Sequence, residues 1–218
     1  MAVFFDNDFR EIPLATWKRA ELFNTFRDFA DSRFNVGVEI DAEPLHHLAK
    51  ARGDSFFLLA LFAISKAYNS VPEMRQRFLR DNAIAEYAVC HPSSPLMTAD
   101  GENFLQTTLP YRATFAEFAA EAVPIVEAVR HGNEAGMEMG VKSPNIFCAS
   151  CVPWFSPQTF VPAVYRRNQD PHVISWFKKS AAGTVLVSST FNHCFTDGLH
   201  VGKFFNAVAE NFKNPETL

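Results

Sequence analysis

"STFNHCFTDGLHVGKFF", residues 189–205, contains the junction that decides how this chain is read. The stretch "TVLVSSTFNH" (184–193) leading into it is strand-like, and Val201, Phe204, Phe205, Val208 and Phe212 then recur at helical spacing. A strand is therefore predicted to end at His193, and a helix to run from about Asp197 to Lys213. Alternate side chains of a strand share a face, so His193 lies with Phe191 and Ser189, and Asn192 lies with Thr190 on the other side. Asp197 stands where a carboxylate caps a helix and meets its positive end, and Gly198 is expected to let the backbone turn. An imidazole on the last residue of a strand projects into whatever cleft opens there. Strand-end histidines are often plain edge residues and Asp-Gly is a common turn, so the spacing alone does not assign chemistry.

Working outward, "RFNVGVEIDA" (33–42) alternates Phe34, Val36, Val38 and Ile40, a strand buried on one face. "DSFFLLALFAISKAYNSVPE" (54–73) reads as a largely buried helix with Asp54 or Ser55 as cap and Pro72 as its stop. "AIAEYAVCH" (83–91) and "NFLQTTLPY" (103–111) are strand-like, with "PSSPLMTADGE" (92–102) as the turn or hairpin loop between them. Thr114 and Glu117 form a capping box for a helix ending near Gly132 and kinked at Pro124. Residues 131–145 read as a loop, followed by strands over "NIFCASCVPWF" (to Pro153), "HVISWF" (172–177) and the 184–193 run. Helices mixed with five to seven strands, with no repeat or linker, predict one α/β domain over residues 1–218.

Composition bounds the function. A formal net charge of -4 with no dense Lys/Arg run gives no electrostatic case for nucleic acid. No uncharged apolar run is long enough to span a membrane, and the start lacks the pattern of a signal peptide. The cysteines Cys90, Cys148, Cys151 and Cys194 are accordingly expected as reduced thiols in the cytoplasm. Phenylalanine occurs 23 times, more than a tidy core needs, so some rings are expected to line a pocket or an interface.

"NHCFTDGLHVGKF" resembles the signature of the chloramphenicol acetyltransferases, HH-x-x-x-DG with a following His-Val-Gly-like step; His193 matches the second histidine and Asn192 replaces the first. "TWKRAELF" (16–23), "VPEMRQRF" (71–78), "FCASCVPWFS" (147–156) and "ISWFKK" (174–179) are similar to other segments of that family, in the same order. The resemblance implies a two-layer α/β sandwich, a mixed β-sheet with packed helices. It also implies acetyl transfer from acetyl-CoA to a hydroxyl of chloramphenicol, with His193 as general base and no acetyl-enzyme. Ser150 would steady the oxyanion, and Asp197 would pair with Arg19 and shape the site. Acceptor contacts fall on Phe26, Phe104, Phe160 and Ser175, and coenzyme A contacts on Trp154 and Lys178. A homotrimer is implied, with sites at subunit boundaries where His193 of one protomer meets Phe26 of its neighbour. Asn192 points away from His193 by alternation, so it is expected to change local hydrogen bonding or stability and to leave the base intact. A different small alcohol or amine as acceptor, a non-catalytic ligand-binding relative and the acyltransferase core of 2-oxoacid dehydrogenase complexes are the competing readings. The last is disfavoured by the His-Val-Gly continuation and the absence of a lipoyl segment.

Other residues invite other chemistry. Cys148 and Cys151 lie three apart in a strand-like run and face opposite sides, so they read as two buried thiols. His193, Asp197 and His200 lack a fourth ligand and an H-E-x-x-H pattern, so no metal is expected. His46 and His47 read as solvated on a short polar helix, and alternation turns Cys194 away from the site.

Overall fold

The computed structural model describes residues 8–80, 82–132, 144–163 and 172–218. In chain order its first half holds β1 (Phe9–Pro13), α1 (Ala20–Arg27), β2 (Arg33–Asp41), α2 (Glu43–Arg52), α3 (Phe56–Asn69), β3 (Gln76–Arg80) and β4 (Ala83–Tyr87). The second half holds β5 (His91–Met97), β6 (Phe104–Thr108), α4 (Phe115–Arg130), β7 (Ile146–Val152), β8 (Val173–Phe177), β9 (Thr184–Asn192) and α5 (Gly198–Lys213). Six strands form a mixed sheet in the order β2-β9-β8-β7-β5-β6, in which β7 runs parallel to both β5 and β8. This is the predicted α/β architecture of a mixed sheet with packed helices.

The helices cover one face of that sheet. The sequence of α3 is apolar almost all round, and residues Leu58 through Ser65 are all buried, as an all-round apolar helix demands. Ser55 caps it, its Oγ accepting the Leu58 N–H. α5 lays Phe204 and Phe205 edge-on against Phe191 of β9, and Phe57 stacks on Trp176 of β8. The predicted capping box of Thr114 and Glu117 opens α4, which continues past Pro124 to Arg130. Among the described residues no helix is long and apolar enough to cross a membrane.

A second, smaller sheet in the order β1-β4-β3 adjoins a separate apolar cluster. Phe23, Ile84, Cys194 and Phe195 are its buried members, with Trp17, Phe26 and Phe78 packed against them. Much of the phenylalanine excess thus divides between two cores, and the smaller one lies directly beneath the β9–α5 junction.

Three local expectations need correction. The segment from residue 92 was expected as loop, yet β5 extends to Met97 and the turn begins only at Thr98. Leu109 N–H bonds to Pro92 O and Thr98 N–H to Asn103 O, so the even-numbered residues of β5 direct their backbone polar groups toward β6. The missing N–H of Pro95 therefore faces the β7 side, where pairing has already ended at Ser93, and removes no ladder bond. β1 and β3 carried no strand signal; β4 recruits them as its partners. Gly198 needs no glycine for its turn: its φ is not positive and an added Cβ would meet nothing within 4 Å. Gly183 does need it, with φ +85° and a Cβ position 2.6 Å from Glu43 Cγ. Most of the predicted 131–145 loop lies outside the described residues.

Candidate active site

His193 follows the last residue of β9. Its N–H donates to Ser32 O (2.8 Å), which ties the junction to the start of β2. Phe26, near the end of α1, stacks on the imidazole with centroids 4.0 Å apart and planes 6° from parallel. Phe34 flanks the ring at 4.8 Å. Nδ1 is buried with no hydrogen-bond partner among the described residues. The contact with Phe26 lies within one chain, which corrects the expectation that this ring comes from a neighbouring protomer.

Asp197 begins α5. Arg19 Nη1 donates to its Oδ2 at 2.7 Å, and its Oδ1 accepts the Leu199 N–H at 3.0 Å. His200 returns the cap, its Nδ1 accepting the Asp197 N–H, while Nε2 stands 3.5 Å from Glu73. Burial works to raise the Asp197 carboxyl, but the Arg19 hydrogen bond and the nearby His200 and Arg19 charges outweigh it and hold it below the usual carboxylate range. The ion pair ties the start of α5 to the residue that precedes α1. Arg19 immediately precedes α1, and Phe23 anchors that helix in the smaller core. The same packing thus delivers both Arg19 and Phe26 to the junction.

Ser150 belongs elsewhere. It sits in register with Ser175 of β8 and Ser188 of β9, a row of small hydroxyls on the face of the sheet turned away from the helices. Ser175 is buried, its Oγ without a partner among the described residues, and Ser188 Oγ lies within hydrogen-bond distance of both Asn35 Oδ1 (3.0 Å) and the carbonyl of Phe160 (2.9 Å). Phe160 packs edge-on against Phe177 at 5.0 Å. Trp154 and Phe104 are exposed at 65% and 63%, and Lys178 follows β8, all near the sheet end remote from His193. From Ser188 to His193 is five residues along β9, and Ser150 lies two strands across; strand spacing makes their separation about 19 Å. The residues singled out in the sequence thus fall into two groups: His193, Asp197, Arg19 and Phe26 at one end, and Ser150, Ser175 and Phe160 farther along the opposite face. Hollows of about 580 Å³ beside Leu48 and about 470 Å³ beside Trp17 include neither His193 nor Ser150.

The thiols are quiet. Cys148 and Cys151 face opposite sides of β7, and burial raises both, Cys151 to about 12. Cys194 is buried in the smaller core and raised by that burial, away from any thiolate chemistry. Among the described residues no group of three or more His, Cys, Asp or Glu is arranged to hold a metal ion. Sequence reasoning missed the roles of Phe34 and Ser32. The alternation of β2 could have flagged Phe34, which is paired with Phe191, whereas nothing local marks Ser32.

A mixed sheet with helices on one face and a histidine at a strand-to-helix junction defines the class first: this is the fold of the dihydrolipoamide acetyltransferases. That enzyme from Azotobacter vinelandii matches with a TM-score of 0.65 at 15% identity, covering 90% of this chain and 87% of its own. Within that fold, the chain belongs to the chloramphenicol acetyltransferase family, whose model matches residues 7–209. A chloramphenicol acetyltransferase from Staphylococcus aureus is 24% identical over 95% of this chain and 97% of its own length. A solved chloramphenicol acetyltransferase structure superposes with a TM-score of 0.83 at 25% identity, covering 94% of this chain and all of that one.

Proposed function

We propose that this chain transfers acetyl from acetyl-CoA to a hydroxyl of chloramphenicol, as a cytoplasmic antibiotic-detoxifying homotrimer whose sites form between protomers. One observation carries the reading: in a member of this family, the strand-end imidazole is stacked on Phe26 and flanked by Phe34, with Asp197 and its Arg19 partner at the start of the next helix. His193 Nε2 accepts the proton of the acceptor hydroxyl as its oxygen attacks the thioester carbonyl, help worth about 10²–10⁴ in rate. Ser150 Oγ donates to the developing oxyanion, and such a donor is typically worth about 10²–10³. The tetrahedral intermediate collapses by breaking the C–S bond, and the imidazolium returns its proton to the departing coenzyme A sulfur. Phe104, Phe160 and Ser175 line the acceptor, and Trp154 and Lys178 approach the coenzyme, an indole face and a cation suited to adenine and phosphate.

The separation of Ser150 from His193 supports assembly. A head-to-tail contact sets each group of residues, as a half-site, against the other group of the next copy, and a ring satisfies every half-site at once. The test mixes purified protein, acetyl-CoA and chloramphenicol and follows free thiol. Turnover is expected, and His193→Ala is expected to abolish it in a folded protein; an active variant refutes the assignment of the base.

A further inference from the structure

Asn192 stands beside the base but faces away from it, and five donors converge on its two oxygens. Its side-chain Oδ1 accepts Ser32 Oγ–H at 3.0 Å and Cys194 N–H at 2.9 Å. Its backbone carbonyl accepts Phe195 N–H, Thr196 N–H and Thr196 Oγ1–H at 2.9–3.0 Å. The residue is only 3% exposed, so water does not replace these bonds when they are lost.

The consequence falls on His193. Its own N–H is held by Ser32 O, and the next N–H along the chain is held by Asn192 Oδ1. Ser32 joins the two by donating to that same Oδ1, so the backbone of His193 is gripped on both sides by one closed set of bonds. The rings of Phe26 and Phe34 flank the imidazole, but they do not fix how far the backbone carries it forward.

We propose that Asn192, acting through this clamp with Ser32 and Cys194, is a positioning residue that sets the reach of the His193 imidazole toward the acceptor hydroxyl. The proposal rests on His193 being the general base. It also accounts for the departure from the HH-x-x-x-DG signature. A histidine at this place would carry its Nδ1 on the same γ carbon that bears Oδ1 in asparagine, so the acceptor survives the exchange.

A misplacement of about 1 Å at a catalytic group costs on the order of 10²-fold in rate without touching substrate binding. Asn192→Ala is therefore expected to lower kcat by about 10–100-fold, and Ser32→Ala, which removes one of the two donors to Oδ1, by about threefold. The KM for acetyl-CoA and for chloramphenicol stays at the wild-type value in both, because neither side chain meets a substrate. Because the two meet at one oxygen, Ser32→Ala in the Asn192→Ala background is expected to cost less than it does alone. Steady-state kinetics of the four proteins in the thiol-release assay tests this, with melting curves to establish folding. A wild-type kcat in Asn192→Ala, a KM that rises in step with the loss, or strictly additive losses overturns the proposal. Should Asn192→Ala fail to fold, Ser32→Ala decides alone, and a wild-type kcat there overturns it. Turnover that survives His193→Ala refutes the general-base reading instead, so the two failures are told apart.

Discussion

Two inactive variants of this protein are expected to revive each other. His193→Ala destroys one half-site and leaves Ser150 intact, while Ser150→Ala does the reverse. Within one chain the two residues are about 19 Å apart on opposite faces of the sheet, too far for one reacting carbonyl to meet both. The pair must come from adjoining copies if both act in one site. In a ring built at random from equal amounts of the two variants, about one site in four joins an intact His193 to an intact Ser150. Each parent alone should retain roughly a hundredth of wild-type turnover or less, given about 10²–10⁴ for a base and about 10²–10³ for an oxyanion donor. Co-expressed, doubly tagged assemblies carrying both variants should therefore recover tens of per cent of wild-type thiol release from acetyl-CoA and chloramphenicol. A mixed assembly no faster than the mean of its parents would falsify the shared-site reasoning.

Two further outcomes follow from buried groups and tight turns. His172 is fully buried beside the Tyr68 hydroxyl; burial, then the Arg77 charge, hold its imidazole down to about 3, against about 6.5 in an unfolded chain. Below pH 6.5 the unfolded chain binds a proton that the fold refuses, so this stability is whole above about 6.5 and drains away as pH falls toward 3. His172→Gln should flatten the fall of the urea midpoint between pH 6.5 and 4, and a slope parallel to wild type would show the wrong group was chosen. Gly183→Ala should cost about 1–3 kcal/mol, because it forces a positive φ and drives a methyl into Glu43, whereas Gly198→Ala should stay within about 0.5 kcal/mol. Equal thermal shifts for the two would contradict the steric reasoning.

The strand-to-helix junction was legible because its signals are local: β-type residues end at His193, a carboxylate caps, and apolar spacing switches from strand to helix. The same holds for α3, α4 and β2, where periodicity is strong and caps are present. β1 and β3 were not legible, since "FREIP" and "QRFLR" acquire strand geometry only by pairing with β4. β5 was masked by its prolines, and the tolerance of Pro95 depends on where β7 stops pairing, a tertiary fact. The half-sites show the same limit. The family resemblance groups Ser150 and Ser175 with His193, but the register of three strands sets Ser150 far from the imidazole. Phe26 was singled out only through the family resemblance, and its stacking on His193 in the same chain depends on how Phe23 seats α1.

The division of the apolar residues into two clusters gives the molecule two thresholds of failure. The large body between sheet and helices governs whether the polypeptide stays folded. The little raft of Phe23, Ile84, Cys194 and Phe195 governs whether the imidazole keeps its station, and it has far less surface to lose. Gentle warming or dilute urea should therefore loosen the raft while the main body is still intact, silencing the enzyme before any bulk spectroscopic probe registers a change.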